Sequence, residues 1–183
     1  MTLCFLTKRS GMETCETKAP TTSGTVRVLI ADDSDEDRTL FRHILRTFDD
    51  FEVIGTTVDG ADTIAYFKGL RPYDTPGLRR DPDLILLDFQ MPRLSGLDVL
   101  RTLQAETRGR KVILWSDAPE LINRQSAYRF GASLVCGKPQ RRADLVKILT
   151  QAFMKGSWRA TRTVSDILGN EGKSPREQHI RSF

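Results

Sequence analysis

Several things are scarce in this 183-residue chain, and each scarcity excludes a class of protein. Cysteine occurs three times, at Cys4, Cys15 and Cys136, with no C-x-x-C pair. That argues against a disulfide framework or a zinc site and suits a reducing cytosol. Histidine occurs twice, at His43 and His179, which leaves a histidine-based hydrolase without support. No window approaches the roughly 18 consecutive apolar residues needed to span a bilayer. The apolar start, Met1 to Leu6, precedes Lys8 and Arg9, the reverse of a secretory signal, so the expected location is cytoplasmic. The glycine fingerprint G-x-G-x-x-G of a dinucleotide-binding turn is also absent.

An excess of one charge is scarce too, once the charge is located. The net charge is +4 and the pI about 9.1. Residues 25–155 hold 20 basic and 19 acidic residues, a net of +1; the two ends supply the other three charges. A near-neutral body carries no basic footprint for DNA. Residues 1–24 show no apolar period and read as a flexible leader, and residues 156–183 as a basic, disordered tail. A tail this size falls short of the ~50 residues a further output domain needs, so the expectation is a stand-alone domain.

Between the ends, apolar signals alternate in type. Val26–Ala31, Phe51–Val58, Leu84–Leu87, Val112–Trp115 and Ser133–Cys136 read as strands. Residues 34–48, Ala61–Leu70, Leu97–Leu103, Leu121–Phe130 and Leu145–Met154 read as helices, the first opened by Ser34 three residues before Asp37. In the second helix Ile64, Ala65 and Phe67 are expected to face inward. Five strands alternating with five helices predict an α/β fold: a doubly wound, five-stranded parallel sheet with helices on both faces.

Ligands of such sheets bind beyond the carboxyl ends of the strands. Asp32 and Asp33 follow the first strand, Asp88 ends the third, Ser116 ends the fourth, and Lys138-Pro139 follow the fifth. An Asp-Asp pair before a helix is ordinarily a cap, and Lys-Pro ordinarily a turn. Three carboxylates converging on one rim are another matter. They repel one another and call for a hard cation, Mg²⁺ with Mn²⁺ as the alternative, held by oxygen ligands. Lys138 would neutralise an incoming anion and Ser116 would donate a hydrogen bond to it. Asp88 is then the natural acceptor in phosphoryl transfer.

The segments LIADDSDEDR, LILLDFQMPRLSG, ILWS and GASLVCGKP together resemble the receiver domain of bacterial two-component response regulators, over residues 25–155. The long stretch RPYDTPGLRRDPDLILLD resembles stand-alone receivers that pair with phytochrome kinases. The resemblance implies a flavodoxin-like receiver fold and phosphorylation of Asp88 by a sensor histidine kinase. It implies Mg²⁺ held by Asp32, Asp33, Asp88 and the backbone carbonyl of Gln90. It makes Ser116 the switch hydroxyl and Lys138 the phosphate contact, with Pro139 following a cis peptide bond. Met91-Pro92 and Gly96 would shape the loop after Asp88. A homodimer or a downstream protein partner would use the fourth helix, fifth strand and fifth helix, including Tyr128, Leu134 and Val146.

Two positions depart from the family pattern. Val135 stands where an aromatic often reports phosphorylation. Asp117 replaces a small residue after Ser116, and is expected to point outward and cap the helix near Glu120. Both favour the alternative function, a receiver-fold interaction module that acts independently of phosphate; the five intact site residues oppose it. A haloacid-dehalogenase-type phosphatase would need an acid at Gln90, and a flavodoxin's phosphate loop would not tolerate Asp32-Asp33.

Overall fold

The computed structural model describes residues 25–154, apart from 76 and 78. The expected leader, the expected tail, His179 and the terminal cysteines lie outside the described residues. The elements run in chain order β1 (Val26–Ala31), α1 (Asp35–Leu45), β2 (Phe51–Thr57), α2 (Gly60–Lys68), β3 (Leu84–Asp88), α3 (Gly96–Thr102), β4 (Lys111–Ser116), α4 (Arg124–Arg129), β5 (Leu134–Gly137) and α5 (Arg142–Met154). The strands form one parallel sheet in the order β2-β1-β3-β4-β5.

The sheet explains why its strands read as unbroken apolar runs: both faces are covered. Val28, Ile30, Leu84, Leu86, Ile113 and Trp115 face α1 and α5, where they meet Phe41, Leu45, Leu145 and Leu149. The alternate residues Leu29, Ala31, Ile85, Leu87, Val112 and Leu114 face the other way, onto Tyr66, Phe67, Val99 and Leu100. β1 is followed by β2 on one side and has β3 on the other. Strand order therefore reverses at β1, and the crevice of the fold opens beyond the carboxyl ends of β1 and β3. At the opposite end, Arg27 grips Asp83 through two side-chain hydrogen bonds of 2.9 Å and fixes β1 against β3.

The structure differs from the sequence reading in local ways with physical causes. The expected fourth helix is split. Pro119–Leu121 forms a 3₁₀ turn opened by proline, and α4 begins only at Arg124, where the Asn123 side chain accepts the Ser126 N–H at 2.9 Å. In α2 the buried face is Thr63, Tyr66 and Phe67, while Ile64 and Ala65 are half-buried. Tyr66 can turn inward because its hydroxyl donates to the Arg80 carbonyl at 2.6 Å, so no polar atom is stranded. Leu134 is 4% exposed and belongs to the core, so it cannot serve the surface face expected of it; Tyr128, 44% exposed, can.

Candidate functional site

Each site residue is delivered by an element that has little choice about where to end. Asp32 follows β1 and is fully buried; its Oδ1 accepts the Ser34 N–H at 3.0 Å. Ser34 in turn caps α1, accepting the Asp37 N–H at 3.2 Å. This cap turns the chain sharply and leaves Asp33 exposed at the rim. Asp88 closes β3, buried at 2% exposure, with Oδ1 accepting the Gln90 N–H at 3.3 Å. Carboxylate oxygens of Asp32, Asp33 and Asp88 all lie within 4.8 Å of one another.

Lys138 follows β5 and is anchored by its backbone, whose N–H donates to the Ser116 carbonyl at 3.0 Å. Its ammonium lies 3.0 Å from Asp32 Oδ2, 3.3 Å from Asp88 Oδ2 and 2.8 Å from Asp37 Oδ2. The expected cis bond before Pro139 is not found: among the described residues the cis peptide is Arg71–Pro72. The trans form is the intrinsically preferred one by about 0.5–1 kcal/mol. Lys138 already reaches the carboxylates with it.

Ser116 is buried at the end of β4, but its link to Asp88 is indirect. Its hydroxyl donates to Gln90 Oε1 at 3.2 Å and accepts the Ala118 N–H at 3.0 Å. Gln90 thus bridges Asp88, through its N–H, and Ser116, through its side chain. The loop after Asp88 is folded by Phe89 and Gly96: the Phe89 N–H reaches the Trp115 carbonyl, and the Gly96 N–H the Phe89 carbonyl. A Cβ on Gly96 would overlap the Asp88 carbonyl oxygen, so only glycine allows this approach. Asp117 is exposed, with 67% of its side chain accessible, and caps nothing, but it does not point clear of the site as expected. Its Oδ2 lies 4.0 Å from the Lys138 ammonium. His43 is exposed on α1.

Sequence reasoning treated Asp37 only as part of the α1 cap and missed its pairing with Lys138. Its place in the first turn of a helix that starts at the rim was the available signal. The side chain of Gln90 was missed as well, because only its backbone was expected to matter.

The electrostatics follow from burial. Asp88 is pushed up to about 6, first by desolvation and then by the neighbouring Asp32 charge, against the pull of Lys138. Asp32 is raised by burial for the same reason. Burial disfavours the Lys138 charge, but Asp37, Asp88 and Asp32 together outweigh it and hold the ammonium above its ordinary range.

The sequence matches the response regulator receiver domain over residues 28–150. The chain belongs to this family. One relative of the receiver is protein-glutamate methylesterase/protein-glutamine glutaminase 6 of Anaeromyxobacter dehalogenans, 33% identical over 64% of this chain and 30% of that enzyme. The chain thus spans less than a third of that relative. Among solved structures, the NarL signal receiver domain of Mycobacterium tuberculosis is 27% identical with a TM-score of 0.57, covering 70% of this chain and 96% of that one. A Borrelia burgdorferi CheX–CheY complex with BeF₃ and Mg²⁺ is 25% identical with a TM-score of 0.55, covering 70% and 87%. The bacteriophytochrome response regulator RtBRR shares the receiver fold, with 20% identity and a TM-score of 0.59 over 73% and 80%.

The donor set of this receiver fits a hard divalent cation. Asp32 Oδ2 is buried, and the Lys138 ammonium 3.0 Å away is shared with Asp37 and Asp88. A buried anionic oxygen beside two further carboxylates, with no sulfur or imidazole donor in the cluster, suits Mg²⁺ or Mn²⁺. Among the described residues no helix is long and apolar enough to cross a membrane.

Proposed function

We propose that this chain is a response regulator receiver that accepts a phosphoryl group on Asp88 from a sensor histidine kinase and signals through protein contacts. The observation that carries this reading is the buried Asp88 carboxylate with the Lys138 ammonium 3.3 Å away and Asp32 and Asp33 within ligand range. In the reaction, an Asp88 oxygen forms a bond to phosphorus as the phosphorus–nitrogen bond of the kinase phosphohistidine breaks. The electron pair stays on the imidazole nitrogen. Lys138 supplies positive charge to a phosphoryl oxygen on Asp88 and Ser116 a hydroxyl donor, so catalysis is positioning plus charge stabilisation. Asp32, Asp33, Asp88 and the Gln90 carbonyl would hold Mg²⁺ or Mn²⁺, which supplies charge neutralisation between the carboxylates and the transferring group.

Residues 25–155 act as the receiver, in the cytoplasm, without an enzymatic activity beyond its own phosphotransfer and dephosphorylation. The kinase is of the phytochrome type, a reading supported by the long α2–β3 segment. Output passes to a protein partner or a second copy through α4, β5 and α5, where Tyr128 is exposed and Val146 half-buried. With Val135 buried at 2% exposure in place of a rotating aromatic, the signal reaches that face by loop movement around Ser116. The test is incubation with acetyl phosphate and Mg²⁺, read by intact mass. Adduct formation by wild type and Ser116→Ala but not by Asp88→Asn is expected. No adduct on wild type, where a control receiver is modified, would overturn the reading.

A further inference from the structure

The shortest contact of the Lys138 ammonium is not with the site carboxylates but with Asp37, at 2.8 Å, and that contact is a hydrogen bond. Asp32 Oδ2 and Asp88 Oδ2 lie farther from the same ammonium, at 3.0 and 3.3 Å. Lys138 is 6% exposed and faces four carboxylates, those of Asp32, Asp37, Asp88 and Asp117. Of these, Asp37 belongs neither to the cluster in metal-ligand range nor to a strand end; it reaches in from the first turn of α1. It therefore adds negative charge where an anion must arrive, and it engages the group that must receive that anion.

We propose that Asp37 is a positioning residue that draws the Lys138 ammonium toward α1, favouring cation binding at the rim and opposing accumulation of the phosphoryl group on Asp88. The inference rests on Asp88 being the phosphoacceptor. Its physical basis is a difference of sign. A carboxylate held at the rim by the Lys138 ammonium attracts Mg²⁺ and repels a phosphoryl dianion, and holding Lys138 withdraws a cation from Asp88. Removing the Asp37 charge therefore moves the two affinities in opposite directions. A residue that merely caps α1 would move both together or neither.

The test uses the full chain and calorimetric titration. Mg²⁺ is titrated alone; beryllofluoride, a phosphoryl mimic, is titrated at saturating Mg²⁺. Asp37→Asn is expected to weaken Mg²⁺ and tighten beryllofluoride, each by roughly 3- to 10-fold at low ionic strength, with the difference shrinking in salt. Asp37→Glu keeps the charge at the same helical position and is expected to track wild type. Asp37→Ala, a second neutral variant, is expected to match the signs of Asp37→Asn. Equal affinities in wild type and both neutral variants, or a parallel loss of both ligands, overturns the proposal while leaving the phosphoacceptor reading intact. Wild type that binds Mg²⁺ but no beryllofluoride overturns the phosphoacceptor reading and this inference with it.

Discussion

At the scale of single residues, the site is destabilising until it is used. Asp88 is a buried acid raised to about 6, so its folded value lies above that of the unfolded chain. The folded state therefore holds the extra proton between roughly pH 4 and 6. Its stability falls as pH rises through that window, and the full penalty stands at pH 7. Asp88→Asn is expected to stabilise the metal-free protein by about 1–3 kcal/mol at pH 7, with the gain vanishing toward pH 4. Urea unfolding at the two pH values checks this. The same titration governs chemistry: a protonated Asp88 is no nucleophile. Phosphorylation by acetyl phosphate should fall as pH drops through about 6, with the midpoint moving lower as Mg²⁺ is raised. An uptake rate flat from pH 7 to pH 5 would contradict this.

At the scale of elements, the site depends on how the loop after β3 is held. Gly96 starts α3 against the Asp88 carbonyl and the Leu114 side chain. Ser95 and Asp98 close a capping box behind it. Arg93, at φ 68°, pairs with Asp59, which also caps α2. The loop is thus tied to two helix starts. Gly96→Ala is expected to cost about 2–4 kcal/mol and to weaken Mg²⁺ binding, because the overlap must shift Asp88 or β4. Thermal melts and metal titration of that variant check both effects. Loss of stability with unchanged Mg²⁺ affinity would show that the loop and the site are mechanically separate.

The elements were legible in the sequence where one force dominated. β1, β3 and β4 are buried on both faces, so their runs of Val, Ile and Leu admit no other reading, and the strand ends placed Asp32, Asp88 and Ser116 on one rim. Legibility failed where a distant group decided the outcome. Tyr66 faces inward because Arg80, fourteen residues on, accepts its hydroxyl. Asp37 meets Lys138 across 101 residues of chain. The Gln90 side chain bridges to Ser116 across 26. No local period encodes such meetings. Pro139 failed differently: its isomer was inferred from resemblance, and the Lys138 contacts are made without it.

At the scale of the whole molecule, the near-neutral body with an acidic rim replaces the impression given by a pI of 9.1. The rim attracts cations, and binding to the folded state alone stabilises it. Mg²⁺ at ten times its Kd is expected to raise the unfolding free energy by about 1.4 kcal/mol. Monovalent salt at equal ionic strength should do much less, and denaturant titrations with and without Mg²⁺ separate the two. Phosphorylation of Asp88 is read from the intact mass of the full chain after acetyl phosphate and Mg²⁺. A single phosphoryl adduct is expected on wild type, absent from Asp88→Asn and absent when Mg²⁺ is chelated. An adduct that survives in Asp88→Asn, or none on wild type beside a control receiver that is modified, would contradict it.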